Sequence, residues 1–108
     1  MTKFEAVIIF SPEIQTKSLN DLIDSFKTII LNNSGKIINQ EDWGLRDLSY
    51  NIKKFNKAFY SFFQIEMDNS NIDKIKKDLN QKDKILRHLF IKVKLHQSLP
   101  TKLANEKK

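Results

Sequence analysis

The stretch Gly44–Leu45–Arg46–Asp47–Leu48–Ser49–Tyr50–Asn51–Ile52–Lys53–Lys54–Phe55–Asn56–Lys57–Ala58–Phe59–Tyr60–Ser61–Phe62–Phe63–Gln64–Ile65–Glu66–Met67 decides the fold. Past Gly44 the residues alternate. Leu48, Tyr50 and Ile52 point one way and Asp47, Ser49, Asn51 and Lys53 the other, as side chains of a pleated strand must. Core packing is the expected duty of Leu48, Tyr50 and Ile52. Lys53–Lys54–Phe55–Asn56–Lys57 reads as a basic hairpin loop, and the aromatic run from Ala58 to Met67 as the returning strand. Gly44 marks a bulge or bend in a long first strand that begins at Lys36.

Upstream, Leu19, Leu22, Ile23, Phe26, Ile29 and Ile30 recur at helical spacing and predict an amphipathic helix. Ser18 with Asp21 three residues on reads as its cap. Asn33–Ser34–Gly35 reads as its stop, glycine tolerating a left-handed turn. Before that helix, Phe4 to Phe10 has the composition of a buried strand, broken by Ser11–Pro12. Downstream, Ser70 and Asp73 open a second helix with Ile72, Ile75 and Leu79 on its apolar face. Ile85 to Val93 is the last strand, with Leu89, Ile91 and Val93 on one side and His88, Lys92 and Lys94 on the other.

The order is β-α-β-β-α-β, an α+β ferredoxin-like arrangement. Right-handed crossovers give an antiparallel sheet of order 4-1-3-2 with both helices on one face, leaving the other face open to a partner. A single domain over 1–96 and a polar, lysine-ended, flexible tail over 97–108 complete the expected organisation.

At 108 residues the chain has room for one core. It has no cysteine, hence no disulfide, thiolate metal site or thiol nucleophile. No apolar run approaches a membrane span, and Met1–Thr2–Lys3–Phe4–Glu5 lacks a signal-peptide pattern, so a cytosolic or organelle-internal location is expected. Lysine plus arginine number 19 against 13 Asp plus Glu, a net charge of +6 and a pI near 9.6. That excess favours a polyanion, nucleic acid first. Nearly all of it is lysine; the arginines are Arg46 and Arg87.

A ferredoxin-like fold does not name a function. A metallochaperone needs paired cysteines, which are missing. An acylphosphatase needs a phosphate-cradling arginine after the first strand, where Ser11–Pro12–Glu13–Ile14–Gln15 offers an acid instead. With Gly35 and Gly44 as its only glycines, the chain has no glycine-rich phosphate loop. His88 and His96 read as surface histidines and Glu41–Asp42 as solvated carboxylates. No catalytic constellation, cofactor or metal is expected. The third strand is aromatic but lacks the glycines and internal basic residue of a base-stacking RNA-recognition motif; Tyr60 and Phe62 share the face opposite Phe59 and Phe63.

The segment Gly44–Leu45–Arg46–Asp47–Leu48–Ser49–Tyr50–Asn51–Ile52–Lys53 resembles the signature of the bacterial-type ribosomal protein S6 family: glycine, a basic–polar pair, leucine, a small residue, tyrosine, any residue, isoleucine and a variable position. Lys3–Phe4–Glu5, Pro12 before the first helix, the basic hairpin, Ala58–Phe59–Tyr60 and Ile85–Leu86–Arg87–His88 also resemble family patterns, over about residues 2 to 95. The chain departs from the family in its basic charge, in Trp43 and in lysines where arginine is common.

The resemblance implies a structural constituent of the small ribosomal subunit that binds the central domain of 16S-type rRNA with ribosomal protein S18, in cytoplasmic or organellar ribosomes. Lys3, Arg46, Lys53, Lys54, Lys57, Arg87, Lys92 and Lys94 are the candidate RNA contacts. The hairpin, Arg46 and Lys3 are expected to outweigh Lys74, Lys76 and Lys77, whose charges alternate with Asp73 and Asp78. The alternative reading is a regulatory or dimerising domain that senses a small ligand.

Overall fold

The computed structural model describes residues 2–96, so the expected tail at 97–108 lies outside the described residues. In chain order the elements are β1 (Thr2–Phe10), α1 (Thr16–Asn32), β2 (Lys36–Ile52), β3 (Phe55–Met67), a 3-10 turn at Asn69–Asn71, α2 (Ile72–Asn80) and β4 (Ile85–Val93). The four strands form one antiparallel sheet in the order β2-β3-β1-β4, the predicted 4-1-3-2.

The core lies between the helices and one sheet face. Phe4, Ala6, Ile8 and Phe10 of β1 alternate inward, in register with Ile65, Phe63, Ser61 and Phe59 of β3. Leu19, Ile23, Phe26 and Ile30 of α1 and Ile72, Ile75 and Leu79 of α2 cover them, the stripes that helical spacing predicts. Phe26 sits on Phe63 with ring centroids 4.7 Å apart and planes tilted by 51°, a geometry that contributes about 0.5–1.5 kcal/mol beyond the area buried.

The helix ends differ from expectation. Helix α1 begins at Thr16 behind Gln15, and the Ser18–Asp21 cap is not formed. The turn before it sets this start: Ser11 Oγ accepts the Glu13 N–H at 3.1 Å, its carbonyl accepts the Ile14 N–H at 3.2 Å, and buried Ile14 pins the chain to the core. At the other end Ser34, not Gly35, takes the left-handed conformation, with φ of 64°. Ser34 N–H donates to the Leu31 carbonyl at 3.1 Å and Gly35 N–H to Ile30 at 2.9 Å, the paired bonds of a Schellman stop. Gly35 is there for space: a Cβ would lie 2.9 Å from both Ile30 Cγ2 and Met67 Cβ. Asp68 caps the 3-10 turn, its carboxylate accepting the Ser70 N–H at 3.0 Å, and α2 follows behind Asn71 with no side-chain cap.

Candidate functional site

Strand β2 is an edge strand whose pairing with β3 slips three times. One extra residue enters at Ile38 and one at Trp43; then Leu48–Asn51 together oppose the single residue Asn56. Each insertion resets which residues face the core. The second slip is built around Gly44, with φ of 73° and its N–H held by Asp42 Oδ1 at 3.2 Å. It turns Trp43 onto the open face, where the indole stacks on Phe62 (5.3 Å, 10°) and Tyr60 (6.3 Å, 23°). Trp43 Nε1 donates to Glu41 Oε1 at 3.0 Å. The acidic pair therefore braces this bulge, Glu41 half-buried and Asp42 exposed as expected of a solvated carboxylate.

Arg46 follows the bend. Its guanidinium carbon lies 5.5 Å from the Trp43 ring centroid, and Nε donates to the Trp43 carbonyl at 3.2 Å. Burial raises the Tyr60 pKa; nearby Arg46 lowers it and Tyr50 raises it. Tyr60, Arg46 and Tyr50 therefore share one neighbourhood on the open face.

The register overturns the core assignment of Tyr50: Gly44 and Arg46 oppose Tyr60 and Ala58 in the open-face row of β3, so the parity that unites Leu48, Tyr50 and Ile52 puts them on the open face. Ile52 is buried and Leu48 half-buried, but Tyr50 is 62% exposed. Alternation groups the three residues correctly but does not say which face is buried, and the wide bulge then lifts residues 48–51 off the ladder. Tyr50 instead meets Arg87 of β4: its hydroxyl accepts a hydrogen bond from Arg87 Nη1, and the guanidinium lies 5.5 Å from the ring centroid. Both arginines of the chain are thus stacked on aromatic rings, an arrangement that presets the plane of the fork.

Between them runs an apolar groove of about 440 Å³, lined among others by Val7, Ile9, Trp43, Leu48, Tyr60 and Leu89. Leu89 and Ile91 share a face, as predicted, and it is this open one: they are 55% and 50% exposed. Beyond the groove, Asn39, Gln64, Glu5 and His96 form a polar seam. Asn39 Nδ2 donates to Gln64 Oε1 and Gln64 Nε2 to Glu5 Oε2, each at 3.1 Å. His96 Nδ1 stands 3.7 Å from Glu5 Oε2, with both side chains largely buried, so His96 is not a surface histidine.

The expected basic residues divide between two ends of the sheet. Lys3 pairs in register with Glu66 and Val93, near Lys92 and Lys94. Seven residues along β1, roughly 23 Å, Phe10 faces Ile85, and the hairpin lies beyond. There the loop is only a two-residue turn, Lys53–Lys54, because β3 already begins at Phe55. Both lysines have positive φ, 50° and 74°, as the mirror-image turns of tight hairpins require, although glycine and asparagine usually supply them. Lys57 is opposite Asp47 across the ladder, which offsets its charge.

Sequence reasoning missed a basic notch at this same end. It measures about 240 Å³ and is lined by Lys53 from the hairpin, Asn80, Lys82 and Asp83 around the end of α2, and Arg87 and His88 of β4. No spacing rule links Lys53 to Lys82; the sheet brings them together. His88 Nε2 is 3.0 Å from Asn80 Oδ1, and burial, then nearby Lys76, lower its pKa. Among the described residues no group of three or more His, Asp or Glu is placed to hold a metal ion.

A family model described as Ribosomal protein S6 matches residues 3–92. The crystal structure of 30S ribosomal protein S6 from Thermotoga maritima superposes with a TM-score of 0.82 at 26% identity, covering 85% of this chain and 87% of that one. The matched residues include the β2 signature and both arginines and run from β1 into β4. The chain belongs to the ribosomal protein S6 family and is a small-subunit ribosomal protein.

Proposed function

We propose that the chain is a non-catalytic structural constituent of the small subunit that binds the central domain of 16S-type rRNA jointly with ribosomal protein S18, in the cytoplasm or inside an organelle. The observation that carries this reading is a division of labour on the surface. The open sheet face is apolar and aromatic, with Val7, Ile9, Leu89 and Ile91 uncovered around the Trp43–Phe62 stack; such a face suits a protein neighbour. The hairpin lysines are placed elsewhere, at a sheet end, where Lys53 and Lys54 crown the turn, while Arg46 and Arg87 lie against aromatic rings of the face itself. Phosphate contacts position an RNA binder, and lysines at an end leave the apolar face free for the partner.

Lys3, Arg46, Lys53, Lys54, Lys57, Arg87, Lys92 and Lys94 remain the proposed RNA contacts, with the hairpin end ahead of Lys74, Lys76 and Lys77. A ligand-sensing regulatory domain is the weaker reading, because the family match spans nearly the whole described chain. The test is titration of a central-domain rRNA fragment with the purified chain, alone and with S18. Binding should be weak and salt-sensitive alone and tight with S18. Equal affinity in both cases would refute joint binding.

A further inference from the structure

We propose that the notch between the hairpin and the end of α2 seats one backbone phosphate of the RNA, with Arg87 as the forked ligand, Lys53 and Lys82 flanking it, and Tyr50 as the residue that positions Arg87. This rests on the RNA-binding reading above and adds a site to it. Three elements converge there: the hairpin supplies Lys53, the α2–β4 connection Lys82, and β4 Arg87 and His88. Three cations, Lys53, Lys82 and Arg87, stand against two carboxylates, Asp83 in the lining and Asp78 beside Lys82, so the local field is positive. Lys82 stands 3.9 Å from Asp78 in a partly exposed i,i+4 pair, which solvent screens and an oxyanion can outcompete.

Arg87 brings a fork whose plane is already set. The Tyr50 hydroxyl holds Nη1 and the phenol ring lies against the guanidinium. That leaves the remaining N–H donors for bidentate pairing with a phosphate. The two-residue turn requires left-handed conformations at Lys53 and Lys54, which glycine or asparagine would take with less strain; lysine at both positions sets two positive charges on the turn beside the notch. A phosphodiester suits the notch better than free phosphate because the site is an open recess beside further lysines at 54 and 57. A nucleic-acid strand can continue from it across the hairpin.

The experiment uses the full chain with S18 and a central-domain rRNA fragment, titrated at several salt concentrations. Lys82→Gln should reduce the slope of log affinity against log salt by about 0.7–0.9, whereas Lys74→Gln should leave it unchanged. Arg87→Lys keeps the charge and loses the fork, so affinity should drop about tenfold at constant slope. Tyr50→Phe should weaken binding in the same direction and also leave the slope alone.

His88 gives a separate readout. A phosphate seated beside it favours the imidazolium. Its NMR titration midpoint should rise on RNA binding despite the opposing cations Lys53, Lys76, Lys82 and Arg87, and should rise less in the Lys82→Gln complex. If wild type binds the fragment but Lys82→Gln leaves both slope and His88 midpoint unaltered, the notch is not an RNA site and joint rRNA binding still stands. If inorganic phosphate moves the His88 midpoint while the RNA slope ignores Lys82, the site is for the free ion and the RNA assignment is overturned. If wild type binds no rRNA with S18 present, the function reading fails and the notch with it.

Discussion

Replacing Tyr50 with alanine separates two readings of β2. If the face shared by Leu48, Tyr50 and Ile52 were the core face, the ring would be enclosed and truncation would cost about 3–5 kcal/mol. In the structure 62% of the residue is exposed, leaving somewhat over a third covered. An aromatic side chain buries on the order of 200 Å² when fully enclosed. The covered part is then about 75 Å², or about 2 kcal/mol at 25 cal/mol per Å². Compactness of the unfolded chain lowers that to about 1.4 kcal/mol, and the exposed hydrogen bond from Arg87 adds about 0.5 kcal/mol. Tyr50→Ala should therefore cost about 1–2 kcal/mol, against about 3–5 for Phe63→Ala, whose ring is fully buried.

Urea denaturation read by circular dichroism measures both, with unchanged slopes required for the comparison to hold. In thermal melts the gap should be about 10 °C or more. Coincident midpoints for the two variants would place the Tyr50 ring in the core and refute its position on the open face. A double-mutant cycle of Tyr50→Phe with Arg87→Lys should show coupling of about 0.5–1 kcal/mol.

Gly35→Ala should destabilise by about 1–3 kcal/mol through overpacking against Ile30 and Met67. Gly44→Ala, at φ of 73° but in open space, should cost about 1 kcal/mol from backbone strain alone; equilibrium denaturation checks both. Replacing Lys53–Lys54 by Asn–Gly should stabilise the hairpin by about 0.5–1 kcal/mol while weakening rRNA binding, a stability gain and a binding loss read on one sample. His88 has a folded pKa below its ordinary 6.5. The unfolded chain therefore takes up the proton first, and stability present above pH 6.5 should be lost as pH falls through the folded value. Melting curves from pH 7.5 to 5 should show this loss reduced in His88→Gln, and an identical pH profile would remove His88 from the account.

The buried half of the molecule was legible because each of its elements obeys one period without interruption. Phe4, Ala6, Ile8 and Phe10 keep a period of two along β1, and Leu19, Ile23, Phe26 and Ile30 a helical period along α1. Both patterns point at a single core and fix topology. Helix ends were less legible because several residue types can satisfy the same orphan groups. Ser18 looked like a cap, but the Ser11–Ile14 turn had already oriented the chain. Gly35 looked like the left-handed residue, yet what excludes a side chain there is Met67, 32 residues away, and Ser34 takes the strained angle.

The open face was the least legible part, and the reason is a property of sheets. Parity along a strand is reliable only while the ladder is continuous, and β2 is interrupted at Ile38, Trp43 and Leu48–Asn51. The first two exchanges cancel, so Leu48, Tyr50 and Ile52 keep a common parity, but parity does not say which face is buried; the β2 signature could be matched residue by residue while the duty of its tyrosine was misassigned. The same interruptions build the surface. The first two keep β2 paired while turning Trp43 over Phe62 and Tyr60 and bringing Arg46 onto the indole; the third lifts Tyr50 to meet Arg87 from the opposite edge of the sheet. The segment that departs from ideal pairing is thus the segment that makes the face specific, and an edge strand tolerates this because no further strand must pair with it.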